Sequence, residues 1–276
     1  MTASTITAPG RADHARDLGA AYARVAHAAA RATRAQPAAL AHTGIHYLIV
    51  AVAISSLWTR AASGHGGTIV GYRADALVWY LAATEVTAIA PPLRLIDRLG
   101  ADVATGRFEL ELLRPAPAVW IRVAAELGTA MPRTAVCTAL GAGLALGVGG
   151  APASLAALAL AGPALLFGVA LTVVAQHLLA AASFWLRDSR ASWFLYQKLQ
   201  FTLGGLVLPL EVLPGGMGRV ARFTPFAAMS YAPGRLASGH LEPGWLLAQI
   251  GWLAVLGLVT ARVFAAGERH LGGGEP

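Results

Sequence analysis

One lysine and one cysteine stand in 276 residues, and Asp, Glu, Lys and Arg together make up only 13% of the chain. A soluble domain carries about twice that share of charge. With 56% apolar residues and a mean hydropathy of +0.58, the composition excludes one. The isolated Cys137 rules out a disulfide framework and a cysteine metal site. There is no Gly-x-x-x-x-Gly-Lys-Ser/Thr phosphate loop, no His-Glu-x-x-His and no Gly-x-Ser-x-Gly. The chain therefore has no means of hydrolysing a nucleotide by itself. The first 34 residues are too polar and arginine-rich to hold an apolar signal core. Long apolar runs without alternation over segments of about ten residues exclude a membrane barrel.

An all-α integral membrane protein remains. A hydrocarbon core takes about 20 mostly apolar residues per helix, and backbone groups in lipid must be satisfied internally. Six spans are expected, at about 38–58, 75–94, 127–148, 154–184, 191–210 and 244–262. Pro37 sits where the first helix can begin, and no formal charge lies between Arg34 and Arg60. The 53 uncharged residues from Thr134 to Leu186 are too many for one crossing. Gly149-Gly150-Ala151-Pro152 divides them into a hairpin. Residues 1–12 read as a disordered tail, 37–265 as the transmembrane domain and 266–276 as a cytoplasmic tail. Residues 13–36 can form an interfacial amphipathic helix, with Leu18, Tyr22, Val25 and Ala29 on one side and Arg24, His27, Arg31 and Arg34 on another. A solvated or disordered leader is the competing description.

Two titratable groups fall inside spans, Glu85 near the centre of the second and His177 in the latter half of the fourth. Intramembrane carboxylates are costly and face a protein interior or a water-filled cavity. Glu85 and His177 are thus candidate pathway residues, against a structural hydrogen-bonding role for each. Charge is densest from Arg94 to Arg122. Within it, Gly106-Arg-Phe-Glu-Leu-Glu-Leu-Leu-Arg-Pro115 mixes charge with apolar side chains and halts at a proline. Such a segment suits docking onto a second protein through Phe108, Leu110, Leu112 and Leu113, or it is a solvated loop with an interfacial helix. Arg187-Asp188-Ser189-Arg190 forms a second polar turn, and Lys198 can snorkel toward the near interface. From Pro209 to Glu242 the chain is rich in Pro and Gly and lies at, or dips into, the opposite face.

The net charge of +7 comes almost wholly from arginine. It matches anionic lipid headgroups and membrane orientation, with no nucleic acid expected. With the N-terminus inside, the six-span layout puts fifteen Arg and Lys residues on the cytoplasmic face and five on the other, leaving Arg133 unassigned. Both termini, the 94–122 loop and the 187–190 turn are therefore expected in the cytoplasm.

The segment Gly106–Pro115 resembles the G-x-hydrophobic-x-x-x-L-L-R-P element of ABC type-2 export permeases, in the branch of viologen-type and daunorubicin-like exporters. Phe184-Trp185-x-x-Asp188, Trp193-x-x-Tyr196-Gln197-Lys198, Leu208-Pro209-Leu210-Glu211-x-x-Pro214 and Phe223-x-Pro225-Phe226 are similar to that branch's second signature. The likeness runs from about 13 to 265, and the long Arg-rich leader departs from it. It implies an N-terminal interfacial helix, six transmembrane helices, a cytoplasmic coupling helix on 98–114 and paired external re-entrant helices on roughly 206–236. The implied coupling residues are Arg98, Arg107, Phe108, Glu109, Glu111, Leu112 and Arg114, with Arg187, Asp188 and Arg190 in the second cytoplasmic turn. Pro209, Glu211, Pro214, Phe223, Pro225 and Phe226 belong to the re-entrant region. The resemblance further implies a bacterial cell membrane location and a noncatalytic subunit that binds no cofactor. Its partners would be two copies of an ATPase carrying ATP and Mg, a second permease, identical or homologous, and membrane lipids. A proton-coupled secondary transporter using Glu85 and His177 is the rival function.

Overall fold

The computed structural model describes residues 11–272 other than 65, 70, 93, 114–115 and 187–189. Among the described residues eleven α-helices follow one another: α1 (Arg11–Arg34), α2 (Pro37–Gly64), α3 (Ala74–Ile89), α4 (Leu95–Ala104), α5 (Arg107–Leu112), α6 (Ala118–Leu144), α7 (Leu155–Ala180), α8 (Arg190–Leu203), α9 (Met217–Arg222), α10 (Ala232–Ala237) and α11 (Gly244–Gly272). A wide turn, Ala145–Gly149, extends α6, and a tighter one, Ala181–Phe184, extends α7. A small hairpin, β1 (Thr68–Ile69) with β2 (Tyr72–Arg73), joins α2 to α3.

Among the described residues, four helical segments are long and apolar enough to cross a membrane: Pro37–Gly64, Ala118–Gly149, Leu155–Phe184 and Gly244–Gly272. They overlap the first, third, fourth and sixth expected spans, the first and third running past both expected ends and the sixth past its C-terminal end. The other two differ from expectation. Over the expected span 75–94, α3 stops at Ile89 after 16 residues, about 24 Å at 1.5 Å per residue. Over the expected span 191–210, α8 stops at Leu203 after 14 residues. Beyond α8 the chain turns at Gly204-Gly205 and enters a short Leu210–Val212 turn behind Pro209.

The reason α3 can be short lies in its surroundings. Every residue from Leu77 to Thr87 is buried, and α2, α6, α7 and α10 all pack on it. A helix apolar on all sides belongs in a protein interior, where it need not match the thickness of lipid. The lipid-facing surface falls to the long helices instead. On α2, Ile45, Ile49, Val52 and Leu57 are exposed, and on α11 Leu247, Ile250, Val255 and Leu258. In water such faces would be unsatisfied apolar patches.

Helix α1 presents the expected two faces. Leu18, Tyr22, Val25 and Ala29 are partly buried, and Arg24, His27, Arg31 and Arg34 are exposed. Its apolar face lies against α6, where the Ala26 carbonyl is in close contact with Gly128. This side of the leader helix is therefore committed to protein and not only to an interface.

Small residues set the other close approaches. A Cβ on Gly168 of α7 would overlap the Met229 carbonyl oxygen, which is backbone and has no rotamer to move into. Gly168→Ala should accordingly destabilise the fold by about 1–3 kcal/mol, the usual cost of overpacking. A lowered melting temperature of the detergent-purified protein checks this, with Gly162→Ala, where nothing lies within 4 Å, as the neutral control.

Candidate functional site

Two polar assemblies stand out, one at each end of the bundle. The first is the elbow formed by α4 and α5. Gly106, at φ +70°, makes the sharp turn between them, a conformation that a side-chain-bearing residue adopts only with strain. The elbow is tied to α6 through Arg122. Its Nε donates to Glu111 Oε2 at 2.7 Å, and its Nη2 donates to Glu111 Oε1 at 2.9 Å and Asp102 Oδ2 at 2.7 Å. The planar fork of one guanidinium thus holds α4 and α5 at once, a geometry an ammonium does not reproduce. Arg98 adds an ion pair to Glu126 at 3.3 Å.

Beneath this pair lies an aromatic cluster. Phe108 is fully buried, its ring 5.0 Å from that of Phe184 and 6.4 Å from Phe264, while the Arg122 guanidinium sits 5.4 Å above it. Phe184 and Phe264 are 5.2 Å apart, edge to face. The elbow therefore inserts one aromatic knob between the ends of α7 and α11.

These contacts correct the expectation that Phe108 is an exposed docking side chain. Six residues of helix on an amphipathic loop bury one face, and Phe108 is on it. Leu112 is half-buried against the same cluster. Arg98 and Glu111, read as coupling residues, are held in ion pairs within the chain, Glu111 half-buried and Arg98 with its side chain still exposed. The face turned outward holds Arg107, Glu109, Leu110 and Leu113, the two leucines 67% and 82% exposed. Arg114, Arg187 and Asp188, together with the side chain of Arg190, lie outside the described residues.

The second assembly clasps the other end. Glu211 Oε1 accepts from Tyr231 Oη at 2.6 Å and Arg222 Nη2 at 2.7 Å, with Arg235 Nη1 at 3.4 Å. Arg235 reaches Glu242 Oε1 through Nε at 3.1 Å and Nη2 at 3.0 Å, and its Nη1 donates to Tyr72 Oη at 2.8 Å. Trp245 Nε1 donates to Glu242 Oε2 at 2.9 Å. The β-hairpin, the Leu210–Val212 turn, α9, α10 and the start of α11 are joined in one network. Burial and the nearby Glu211 carboxylate push the Tyr72 phenol up to about 12. Burial would raise the Glu242 carboxyl, but the bonds from Trp245 and Arg235 outweigh it and hold it below the usual carboxylate range. Near neutral pH, therefore, Tyr72 is a neutral phenol and Glu242 an anion, the forms in which they accept these bonds.

Between the ends, irregular backbone is satisfied by side chains from regular helices. Tyr80 Oη donates to the Gly205 carbonyl and Thr84 Oγ1 to that of Leu206. Thr87 and Ser230 share a bond of 2.8 Å. Gln249 Nε2 donates to Ala164 and Ala228 carbonyls, each at 2.8 Å. Non-helical backbone survives at membrane depth only where protein supplies such partners.

Of the residues read for the re-entrant region, Glu211 is the hub of the clasp. Pro209 and Pro214 bracket its turn, and Pro225 follows Thr224, whose Oγ1 accepts from the Ala227 amide at 3.4 Å as a helix cap. Phe226 packs on Tyr196 at 6.4 Å, and Phe223 is 82% exposed. The pathway candidates are not brought together. Glu85 is buried in α3 one turn after Ala82, whose carbonyl accepts from Tyr47 Oη, and its own Oε1 has no hydrogen-bond partner among the described residues. His177 Nδ1 bonds to the Val173 carbonyl of its own helix at 2.8 Å and lines a cleft with Arg98, Asp102, Glu111 and Arg122. No hydrogen bond or ion pair joins Glu85 to His177 among the described residues.

Sequence reasoning passed over Tyr72, Arg122, Arg235 and Gln249. It also missed Tyr80, Thr84 and Thr87, although hydroxyls at i, i+4 and i+7 on an apolar helix are a legible stripe. No curated protein matches the chain. Residues 48–273 match the model of a family described as ABC-2 family transporter protein. With several helices apolar enough to span a membrane and a match over most of its length, this chain belongs to the ABC-2 transporter family, whose membrane subunits are generally noncatalytic and normally work with an ATPase subunit.

Proposed function

We propose that the chain is the permease subunit of an ATP-driven exporter, receiving the ATPase stroke on α5 and passing it to α7 and α11. The observation that carries this reading is the two-faced α5: anchored inside by Phe108 and Arg122, it turns Leu110 and Leu113 outward. In this reading two copies of the ATPase, which carry ATP and Mg, grip the elbows of two permeases, identical or homologous. This chain itself binds no cofactor. Closure of the ATPase dimer tilts the elbows as rigid bodies. The aromatic knob hands that tilt to the long helices because packed interiors shift in discrete steps and do not deform smoothly.

In this reading the protein sits in a bacterial cell membrane, as the family likeness implies, and the arginine distribution supports both termini, the elbow and the 187–190 turn in the cytoplasm. The clasp around Glu211 then closes the external side. Six crossings remain the reading, with α3 shielded by its neighbours and α8 continued by the 204–213 segment. The cavity of about 520 Å³ between α3, α6 and α7, lined by Trp79, Val86, Leu146, Leu155, Leu158 and Leu165 among others, suits a hydrophobic or amphipathic substrate.

The test uses the exposed leucines. Burying each at an interface is worth about 1.5–3 kcal/mol. Leu110→Ser with Leu113→Ser should therefore weaken co-purification of the ATPase by about two to four orders of magnitude while the melting temperature of the permease stays unchanged. Undiminished association would sink the docking assignment.

A further inference from the structure

A second basic site lies beside the elbow and shares Arg98 with it. A cleft of about 670 Å³ opens between the start of α2, the turn after α3, and α6. Its walls carry His42, His46, Arg94, Arg98 and Arg133. Arg98 is the only one of these with an ion-pair partner among the described residues, namely Glu126 at 3.3 Å. Arg133 Nε is buried with no hydrogen-bond partner there, and Arg94 is exposed with no ion pair. Glu126 pairs with Arg98 and also lies within the field of Arg133, so one carboxylate is set against three guanidinium groups, and two imidazoles face the same cleft.

The apolar surface leading from this cleft identifies what fills it. On α2, His42, Ile45, His46 and Ile49 are all exposed, and at spacings of three and four they share one face of the helix. Val52 continues that stripe, 45% exposed. Cationic groups at one end and a lipid-facing apolar track leading away from it complement a molecule with an anionic head and a hydrocarbon tail. A soluble phosphate would use the guanidinium groups and leave the track without a role.

We infer that the cleft of His42, Arg94 and Arg133 binds the phosphate headgroup of an anionic phospholipid, with an acyl chain laid along Ile45, Ile49 and Val52. Basic pockets between transmembrane helices are a recognised setting for such headgroups. The site requires only the membrane location that the family establishes. It stands or falls independently of the ATPase docking and the orientation proposed above.

Native mass spectrometry of the purified full chain, titrated with phosphatidylglycerol or phosphatidylcholine in the same detergent, tests it. Phosphatidylglycerol should bind more tightly than phosphatidylcholine. At about one headgroup interaction per arginine, Arg94→Gln should cost roughly 5-fold and the Arg94→Gln/Arg133→Gln pair roughly 30-fold. Arg94 is exposed, so the single variant reads the site even where the pair fails to fold. Arg219→Gln, on α9, should change nothing. Glycerol phosphate and inorganic phosphate serve as competitors. If either displaces phosphatidylglycerol at matched concentration, the site takes soluble phosphate and the lipid assignment is wrong. Equal binding of the two lipids, or no loss in Arg94→Gln, would overturn it as well.

Discussion

Phe108→Ala is expected to lower the stability of the folded permease by about 3–5 kcal/mol, the range for emptying a packed aromatic site. The ring is fully buried and touches Phe184, Phe264 and the Arg122 guanidinium at once. Its removal leaves a hole between the ends of α7 and α11 that Leu112, already half-buried, is too short to fill. Thermal unfolding in detergent measures the loss. A drop no larger than that of a surface substitution would mean the knob is not seated as described. The same variant separates anchoring from docking. With the outward leucines intact, the ATPase should still associate at temperatures where the permease is folded, while transport-linked stimulation of ATP hydrolysis is lost. Phe108→Leu, which keeps most of the volume, should recover most of the stability.

The second large effect is expected at Arg122. Replacing it with methionine removes the fork that holds Asp102 and Glu111. The two carboxylates then stand close together, each side chain only 26% exposed. Charge-assisted bonds are worth about 1.5–3 kcal/mol each, partly recovered here because water reaches both acids. A loss of roughly 2–3 kcal/mol is the expected outcome, with the elbow swinging free of α6. Arg122→Lys should recover little, since a point charge reaches one acid at a time. A double-mutant cycle with Glu111→Gln isolates the coupling: in the Arg122→Met background the Glu111→Gln change should cost nothing or stabilise, whereas in the native background it should cost. Additive effects would show that the fork is ornamental.

Both predictions concern residues that the sequence presented differently. Phe108 stands between Arg107 and Glu109, so composition places it on a charged loop and says nothing of a partner. Its partners, Phe184 and Phe264, are 76 and 156 residues away along the chain, and no local pattern links them. Arg122 looks like one more cation in a charged region, because its acids lie 20 and 11 residues upstream on two separate helices. Glu211 was legible as part of a motif, but its partners Tyr72, Arg222 and Arg235 were not. Tyr72 is 139 residues away across a hairpin of two-residue strands that the Gly-rich loop does not announce.

By itself the sequence determined the membrane-embedded, helical character of the protein, four of its long helices, the two faces of the leader helix and the family. Each of these depends on burial of apolar side chains in a solvent without water, which is read from local composition and period. Only the tertiary structure decided that α3 and α8 are short, that Phe108 points inward while Leu110 and Leu113 point out, and that Glu85 and His177 are structurally separate. Those outcomes turn on which buried polar groups and rings find partners across long stretches of chain. Hydrogen bonds and packing between distant residues leave no periodicity to read.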